Sequence, residues 1–405
     1  MKKFLTILVV CMLVLTMFAG CTGTATPPDD DGQGTEPPPP VEDNDLPVVR
    51  IGVYEPQSGD NGAGGKQEIL GMQYANYETP TVVIAGTTYE VELVYADNQS
   101  ANDKAVSAAQ TLIAAGCPIV LGSYGSGVSI AASDTFGDVP IPVIGVTCTN
   151  PAVTLGNDHY FRICFLDPFQ GPVLAQFAKD KFSASKAYCL SKLGDDYSVG
   201  LCNFFAEAFG KENCRMESFP EGTSDYSTYV ANAKAYGADV FFSPVSTEAA
   251  ALIIDQVDAQ GLGTPLLAGD TWDSNVILNA AKGKDIELFV TTFYQEGGAP
   301  AFDNGIKAWI NSNPTAKQNN GGDDMIAAVS AMGYDAYYTA LEAFKVAGSV
   351  EAGDILAILP ALTYKGVSGN IAFDDVGDAK RDTAFVKVCN TATGEWDFVK
   401  EQGID

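Results

Sequence analysis

The sequence predicts an α/β protein of two Rossmann-like lobes, with parallel central sheets joined by a multi-segment hinge. Three observations predict it. The stretch from Val48 to Asp405 is longer than one ordinary core fills. Along it, short apolar runs alternate with longer amphipathic stretches, the pattern of parallel α/β units. The runs also fall into two broadly similar halves with no short fixed repeat. Strands are predicted over 48–54, 91–95, 119–122, 143–146, 187–190, 240–243, 265–268 and 288–291. Helices are predicted between them. In 104–115, Val106, Ala109, Leu112 and Ile113 recur near helical spacing; in 247–260, Ala250, Ile253, Ile254 and Val257 do so, and Gly261 ends the run. Residues 334–347 read the same way through Tyr337, Leu341 and Phe344. The halves meet near 166–171 and again near 293–300. A chain that leaves one lobe, builds a second and returns makes a hinge that can close around a ligand.

The N-terminus reads as an export signal. Lys2 and Lys3 precede an apolar run to Phe18, followed by Ala19-Gly20-Cys21. Small residues ending in cysteine resemble a lipobox, which implies that Cys21 is lipidated and becomes the first mature residue. Phe18 departs from the aliphatic residue usual there, and a transmembrane anchor is the alternative. Residues 22–47 follow as a tether. They contain Pro37 to Pro40, the run Asp29-Asp30-Asp31, Glu36, Glu42, Asp43 and Asp45, and no base. Such a segment buries too little to offset its ordering entropy, and its prolines favour an extended spacer.

The formal charge is -28. So acidic a chain is not built to grip phosphate backbones, which argues against nucleic acid. His159 is the single histidine, so paired-histidine metal sites are excluded and histidine-dependent catalysis is disfavoured. Beyond Cys11 and Cys21 stand Cys117, Cys148, Cys164, Cys189, Cys202, Cys214 and Cys389; an odd number leaves at least one thiol free. No GxxxxGK[ST], HExxH, GxSxG or EF-hand pattern is present. Asp374-Asp375-Val376-Gly377-Asp378 has the wrong spacing for calcium and is expected to be a turn between two strands. No catalytic residue, metal or cofactor is predicted.

The sharpest site motif is Gly122-Ser123-Tyr124-Gly125-Ser126-Gly127, between a strand and the predicted helix 128–136. Free N–H groups and the helix dipole converge at such a junction and favour an anion. With no lysine in the loop, a carboxylate fits better than a polyphosphate. An ordinary tight turn is the alternative. The next strand ends at Thr147-Cys148-Thr149-Asn150-Pro151. Ligands of open α/β sheets bind outside the carboxyl ends of strands, so Ser126 and Thr149 are expected to share one carboxylate. Thr149 as a helix cap is the alternative. In the other half, Gly194-Asp195-Asp196-Tyr197-Ser198 and Gly269-Asp270-Thr271-Trp272-Asp273 stand at strand ends. Asp270 is the candidate partner for an ammonium, and Tyr197 and Trp272 are expected against the ligand body. Capping of a helix at 275–281 is the alternative for Asp270 and Asp273, and core filling for Tyr197.

Several stretches, in order along 48–405, resemble the branched-chain amino acid (LIV-type) solute-binding proteins of ABC importers, which have the type I periplasmic-binding-protein fold. They are Ile51-Gly52-Val53 to Ser58-Gly59, Tyr95-Ala96-Asp97, the loop after Val120-Leu121, and Pro140-Ile141-Pro142-Val143-Ile144. Further ones are Phe161-Arg162, Gln170-Gly171, Gly222 to Ser227, and Gly269 to Ser274. The resemblance implies that Ser126 and Thr149 hold the ligand carboxylate by hydroxyl and N–H. It implies that Thr147 contributes its carbonyl, that Tyr197 closes from the second lobe and that Asp270 pairs with the ammonium. Gly64 stands where an aromatic residue is common, Val245 where some members have tyrosine, and Gln99 and Gly125 where some have a disulfide. Branched-chain specificity therefore does not carry over. Cys148 faces either cleft or core.

These readings combine into a leader at 1–20 and a tether at 21–47. Lobe one is 48–168 with 297–382, and lobe two is 169–296 with 383–405. The expected function is a non-enzymatic, monomeric, extracytoplasmic lipoprotein. It captures an amino acid, branched-chain or related, for ABC permease subunits, and Cys21 holds it to the membrane. The alternatives are a ligand-sensing receptor domain, or another solute such as an amide, aromatic acid or nucleoside. A hydrolase or dehydrogenase on the same scaffold is disfavoured, since no nucleophile–base pair or GxGxxG is seen.

Overall fold

The computed structural model describes residues 46–404. Cys21, the apolar leader and the tether up to residue 45 lie outside the described residues. The first sheet holds β1 (Val48–Glu55), β2 (Thr81–Ile84), β3 (Thr87–Asp97), β4 (Val120–Leu121), β5 (Val143–Gly145) and β6 (Tyr160–Arg162). Their order is β2-β3-β1-β4-β5-β6. Next come β7 (Ala187–Lys192), β8 (Cys214–Phe219), β9 (Val240–Phe242), β10 (Leu266–Ala268) and β11 (Leu288–Thr292). A hairpin of β12 (Thr363–Gly366) and β13 (Gly369–Ala372) follows. Then β14 (Ala384–Asn390) and β15 (Glu395–Gln402) join the second sheet, ordered β15-β14-β11-β10-β9-β7-β8. Within the two large sheets pairing is parallel except for β2 with β3 and both partners of β14; β12 and β13 are also antiparallel.

The apolar runs explain this architecture. β4, β5, β9 and β10 are buried at every residue, as parallel strands covered by helices on both faces must be. β1 sends Val49, Ile51 and Val53 into one core and Tyr54 into the core on the opposite face. β7 does the same for the second lobe, with Tyr188 and Leu190 on one side and Ala187 and Cys189 on the other.

All the predicted strands are present. β3 begins four residues earlier than its predicted start, because Thr87 to Glu90 are polar, partly exposed, and paired in a hairpin with β2. The predicted helices are Asn102–Ala114, Thr247–Ala259 and the latter part of Ala328–Ala347. That last helix starts earlier because Ala328 to Gly333 are buried on all sides and carry no amphipathic signal. It lies against the helix Gly62–Glu78 at unusually close range. A Cβ on Gly71 would stand 1.8 Å from the Ser330 carbonyl oxygen, and one on Gly333 would stand 2.1 Å from that of Glu68.

The chain passes between the sheets at 163–166, 293–299 and 373–383. After the second crossing it returns to the first lobe, where Phe302, Ile306, Met332 and Phe344 complete the core over β1. Residues Asp374 to Asp378 form the expected acidic turn, with the Asp374 N–H donating to the Asp378 carbonyl at 2.9 Å.

Because the Gly71 contact meets backbone, it has no flexible side chain to yield. Gly71→Ala is expected to destabilise the fold by about 2 kcal/mol or more despite its better helix propensity. Urea unfolding checks this; an unchanged or higher midpoint would refute the close-packing argument.

Candidate functional site

Both sheets point the carboxyl ends of their parallel strands at one cleft. From the first lobe come Glu55 at the end of β1, the loop 122–127 after β4, and the loop 146–150 after β5. From the second come the segments after β7, β9 and β10. The lobes touch across the cleft. The Tyr124 hydroxyl donates to the Thr271 carbonyl at 3.1 Å. Asn150 Nδ2 donates to the Asp196 carbonyl at 2.8 Å, and Lys192 Nζ pairs with Asp60 at 2.7 Å. Gln67 bonds Ser274 and Asn275 at 3.1 and 3.2 Å. Enclosed between the lobes is a cavity whose lining includes Tyr124, Ser126, Lys192, Tyr197 and Thr271.

Ser126 is the first residue of the helix Ser126–Gly137, so its N–H is one of the free donors of that end. Its hydroxyl accepts from the Asn150 N–H at 3.2 Å, which joins the loop after β4 to the loop after β5. Thr149 is fully buried, and its hydroxyl faces the buried carboxyl of Asp167. It is not a helix cap: Asn150 caps the turn Pro151–Val153 instead. The Thr147 hydroxyl donates to Glu68 at 2.5 Å.

On the second lobe, Asp270 is buried, and one carboxylate oxygen accepts from Gln170 Nε2 and the Tyr197 hydroxyl, each at 3.0 Å. Burial pushes its pKa up to about 6, with those two hydrogen bonds opposing. Neither Asp270 nor Asp273 caps the helix Asn275–Ala281. Ser274 does, while Asp273 binds Thr292 and the buried Lys387. Tyr197 both lines the cavity and fills the core over β7.

Trp272 requires a correction. It was expected against the ligand, but its indole is fully buried in the second lobe's core and donates to the Val245 carbonyl at 2.9 Å. The strand end at β10 runs into a 3-10 turn, Asp270–Trp272, whose successive residues stand about 120° apart, so Asp270 and Trp272 face different ways. Cys148 faces the core, and burial lifts its thiol to about 11. None of the seven cysteines is in a disulfide. His159 is buried beside the Ser133 carbonyl. No cluster of three or more metal-ligating side chains exists among the described residues.

Sequence reasoning missed several residues that shape the cleft. Tyr124 was read only as part of the glycine loop. A Cβ on Gly64 would stand 2.2 Å from the Tyr124 ring, so that ring takes the space beside position 64. Glu68 sits within the buried stripe Gly65, Glu68, Met72 and Ala75 of its helix. A carboxylate inside an apolar stripe was the signal for it. Asp167 is fully buried beside the Thr149 hydroxyl, and burial raises it to about 8 while that hydroxyl opposes. Gln170 was noted for its place in the chain, not for its bond to Asp270.

Two α/β lobes presenting their strand ends to a shared cleft define a solute-binding protein of the type I periplasmic fold. The chain belongs to the periplasmic binding protein family, whose model matches residues 48–393. It is 28% identical over 338 residues to a Leu/Ile/Val-binding protein homolog 1 of Brucella suis, covering 82% of this chain and 88% of that one. Among solved structures it is similar to the leucine binding protein LivK of Thermotoga maritima. There the TM-score is 0.75 with 30% identity, covering 88% of this chain and 99% of that one. An ABC transporter solute binding protein of R. palustris in complex with benzoate shares the fold, with a TM-score of 0.73 at 17% identity. That match covers 88% of this chain and 97% of that one. The family is one of solute-binding proteins of the branched-chain amino acid kind. No described helix is long and apolar enough to cross a membrane.

The Gly64–Tyr124 contact gives a coupling test. Gly64→Ala is expected to lower the thermal midpoint, and Tyr124→Ala to relieve most of that loss when the two are combined. A cycle of the four proteins should therefore be non-additive by about 1 kcal/mol or more. Additive losses would refute the contact.

Proposed function

We propose that the protein is the extracytoplasmic solute-binding subunit of an ABC importer and captures an amino acid, branched-chain or related, by closure of its two lobes. In this reading Ser126 and Thr149 hold the ligand carboxylate with hydroxyls and N–H groups, and Thr147 offers its carbonyl. Asp270 pairs with the ammonium, and Tyr197 closes over the ligand. The observation that carries it is one cavity lined from both lobes, with the acid Asp270 buried behind its wall and outside the lining. A helix N-terminus lined by Ser126 stands on one lobe, and the other supplies Tyr197, bonded to the buried acid Asp270. The kinship with Leu/Ile/Val-binding homologues and with a leucine binding protein supports the ligand class.

Cys21 as a lipid anchor and 22–47 as a spacer complete the reading. Cys21→Ser is expected to move the protein from the membrane to the soluble fraction on cell fractionation. Retention on the membrane would remove the anchor from the proposal.

The ligand is tested by thermal shift of the purified protein against amino acids, amides, organic acids and nucleosides. A ligand that binds only the folded state stabilises it by about 4 kcal/mol at a thousandfold excess over Kd. Shifts confined to aliphatic amino acids are expected; a response only to another class would overturn the assignment of Ser126, Thr149 and Asp270.

Asp270→Asn is expected to weaken L-leucine by about 2 kcal/mol or more, and 4-methylpentanoate, which lacks the amine, far less. Equal losses would sink the ammonium role. With the Asp270 pKa at about 6, its charge is present above that value. Affinity for L-leucine should therefore fall as pH drops through about 6, and calorimetric titration of the wild type and Asp270→Asn reads whether that acid limb belongs to Asp270.

A further inference from the structure

Under the cleft, two acidic side chains meet with no base beside them. Glu55 is the last residue of β1, and Glu68 lies on the helix Gly62–Glu78; both are fully buried. Their carboxyl groups hydrogen-bond to each other. Neither Oε1 has any other partner among the described groups. Each Oε2 is bound to a different site loop. Glu55 accepts the Tyr124 N–H at 2.7 Å, from the glycine loop after β4. Glu68 accepts the Thr147 hydroxyl at 2.5 Å, from the loop after β5.

A hydrogen bond between two carboxyl groups needs a proton, because a carboxylate has nothing to donate. Two ionised carboxylates in contact inside the protein would repel without screening. The groups facing the pair offer no counter-charge. Asp270 approaches Glu68 from the second lobe, Cys148 approaches Glu55, and the hydroxyls of Tyr54, Tyr124 and Tyr160 surround them. Burial raises both acids, Glu68 to about 7 and Glu55 well above its ordinary value.

We propose that Glu55 and Glu68 form a protonated carboxyl pair that holds the two anion-site loops in register, so that deprotonation of the pair loosens the loops and weakens ligand capture. They are positioning residues: each acts on the ligand through a loop it anchors. The ligand part of the statement rests on the amino-acid reading above, whereas the pair and its hold on the loops do not.

The direction with pH follows from linkage. The folded chain keeps a proton that an unfolded glutamate releases near 4.5. The stability from the pair is therefore complete below that value and is lost as pH rises through about 7 and beyond. This alkaline limb is opposite in sign to the acid limb assigned to Asp270.

Hydrogen exchange read by mass spectrometry tests the pair without any ligand. Protection of 122–127 and 147–151 is compared at each pH with the same segments in Glu68→Gln and Glu55→Gln. An amide keeps one donor and one acceptor, so either variant imitates the protonated pair. In the wild type, protection should fall at least about threefold, relative to the variants, between about pH 6 and about pH 9. The variants should match the wild type at the acid end and lose the alkaline fall; should one fail to fold, the other decides. A wild type that tracks both variants throughout would overturn the pair. L-leucine titration over the same range reads the coupling. A parallel loss of affinity in the wild type alone supports it, and constant affinity across a clear exchange limb overturns the positioning role. If no amino acid binds at any pH, the ligand reading fails, and the exchange experiment still decides the pair.

Discussion

The buried guanidinium of Arg162 fixes the geometry on which the site depends. It lies at the end of β6 and bonds Asp378 in the third crossing between the lobes. It also donates to the carbonyls of Cys148 and Asn150 at 2.9 and 2.6 Å, and to the Thr154 hydroxyl at 3.0 Å. One cation thereby sets the loop that carries Thr147 and Thr149, and ties that loop to a segment more than two hundred residues later. The arrangement satisfies nearly every donor of the fork, and that is the condition under which a fully buried charge is tolerated. Removing either partner would leave the other charged in the interior. The fit of the hinge and the shape of the anion loop therefore depend on the same few bonds.

Around the cleft the balance of charge runs the other way. Glu55, Glu68, Asp167 and Asp270 are all buried near the strand ends, and Arg162 is already committed to carbonyls and Asp378. Burial raises every one of these acids. Protons and a bound ammonium are the economical ways to neutralise such a group, since a buried side-chain cation would compete with the ligand for the same oxygens. Asp270, at about 6, retains its charge at neutral pH more readily than Glu68 at about 7 or Asp167 at about 8. It is also the one held by two neutral donors, Gln170 and Tyr197. Such donors orient a carboxylate while leaving its charge for a ligand.

The fold was legible because parallel strands buried on both faces must be continuous apolar runs, and these stand out between amphipathic helices. Strand-end loops followed from the same logic, which is how Ser126, Thr149, Tyr197 and Asp270 were chosen as candidates. What stayed hidden depends on direction and distance. Trp272 lies two residues from Asp270 and was read with it, but the turn after β10 sends the indole into the core. The start of the helix Ala328–Ala347 was hidden because burial on all sides removes periodicity. Glu55 and Glu68 are far apart in sequence, and nothing local marks a carboxyl pair formed by a strand end and a helix. The bond from Arg162 to Asp378 is likewise a product of chain crossings, not of any motif.

The position of Tyr124 shows why comparison by position does not give the shape of the pocket. Gly64 stands where an aromatic side chain is common in proteins it resembles. A comparison by position would therefore assign this chain a larger pocket. In space the opposite holds, because the Tyr124 ring from the neighbouring glycine loop covers that glycine and reaches the second lobe through its hydroxyl. The same volume is supplied from a different strand end. Its polar tip also bonds across the cleft, so Tyr124 belongs at once to the wall of the pocket and to the contact that closes it. A ligand that displaces the ring would disturb closure itself. In the proposed function, discrimination by size at this point would be coupled to the contact between the lobes.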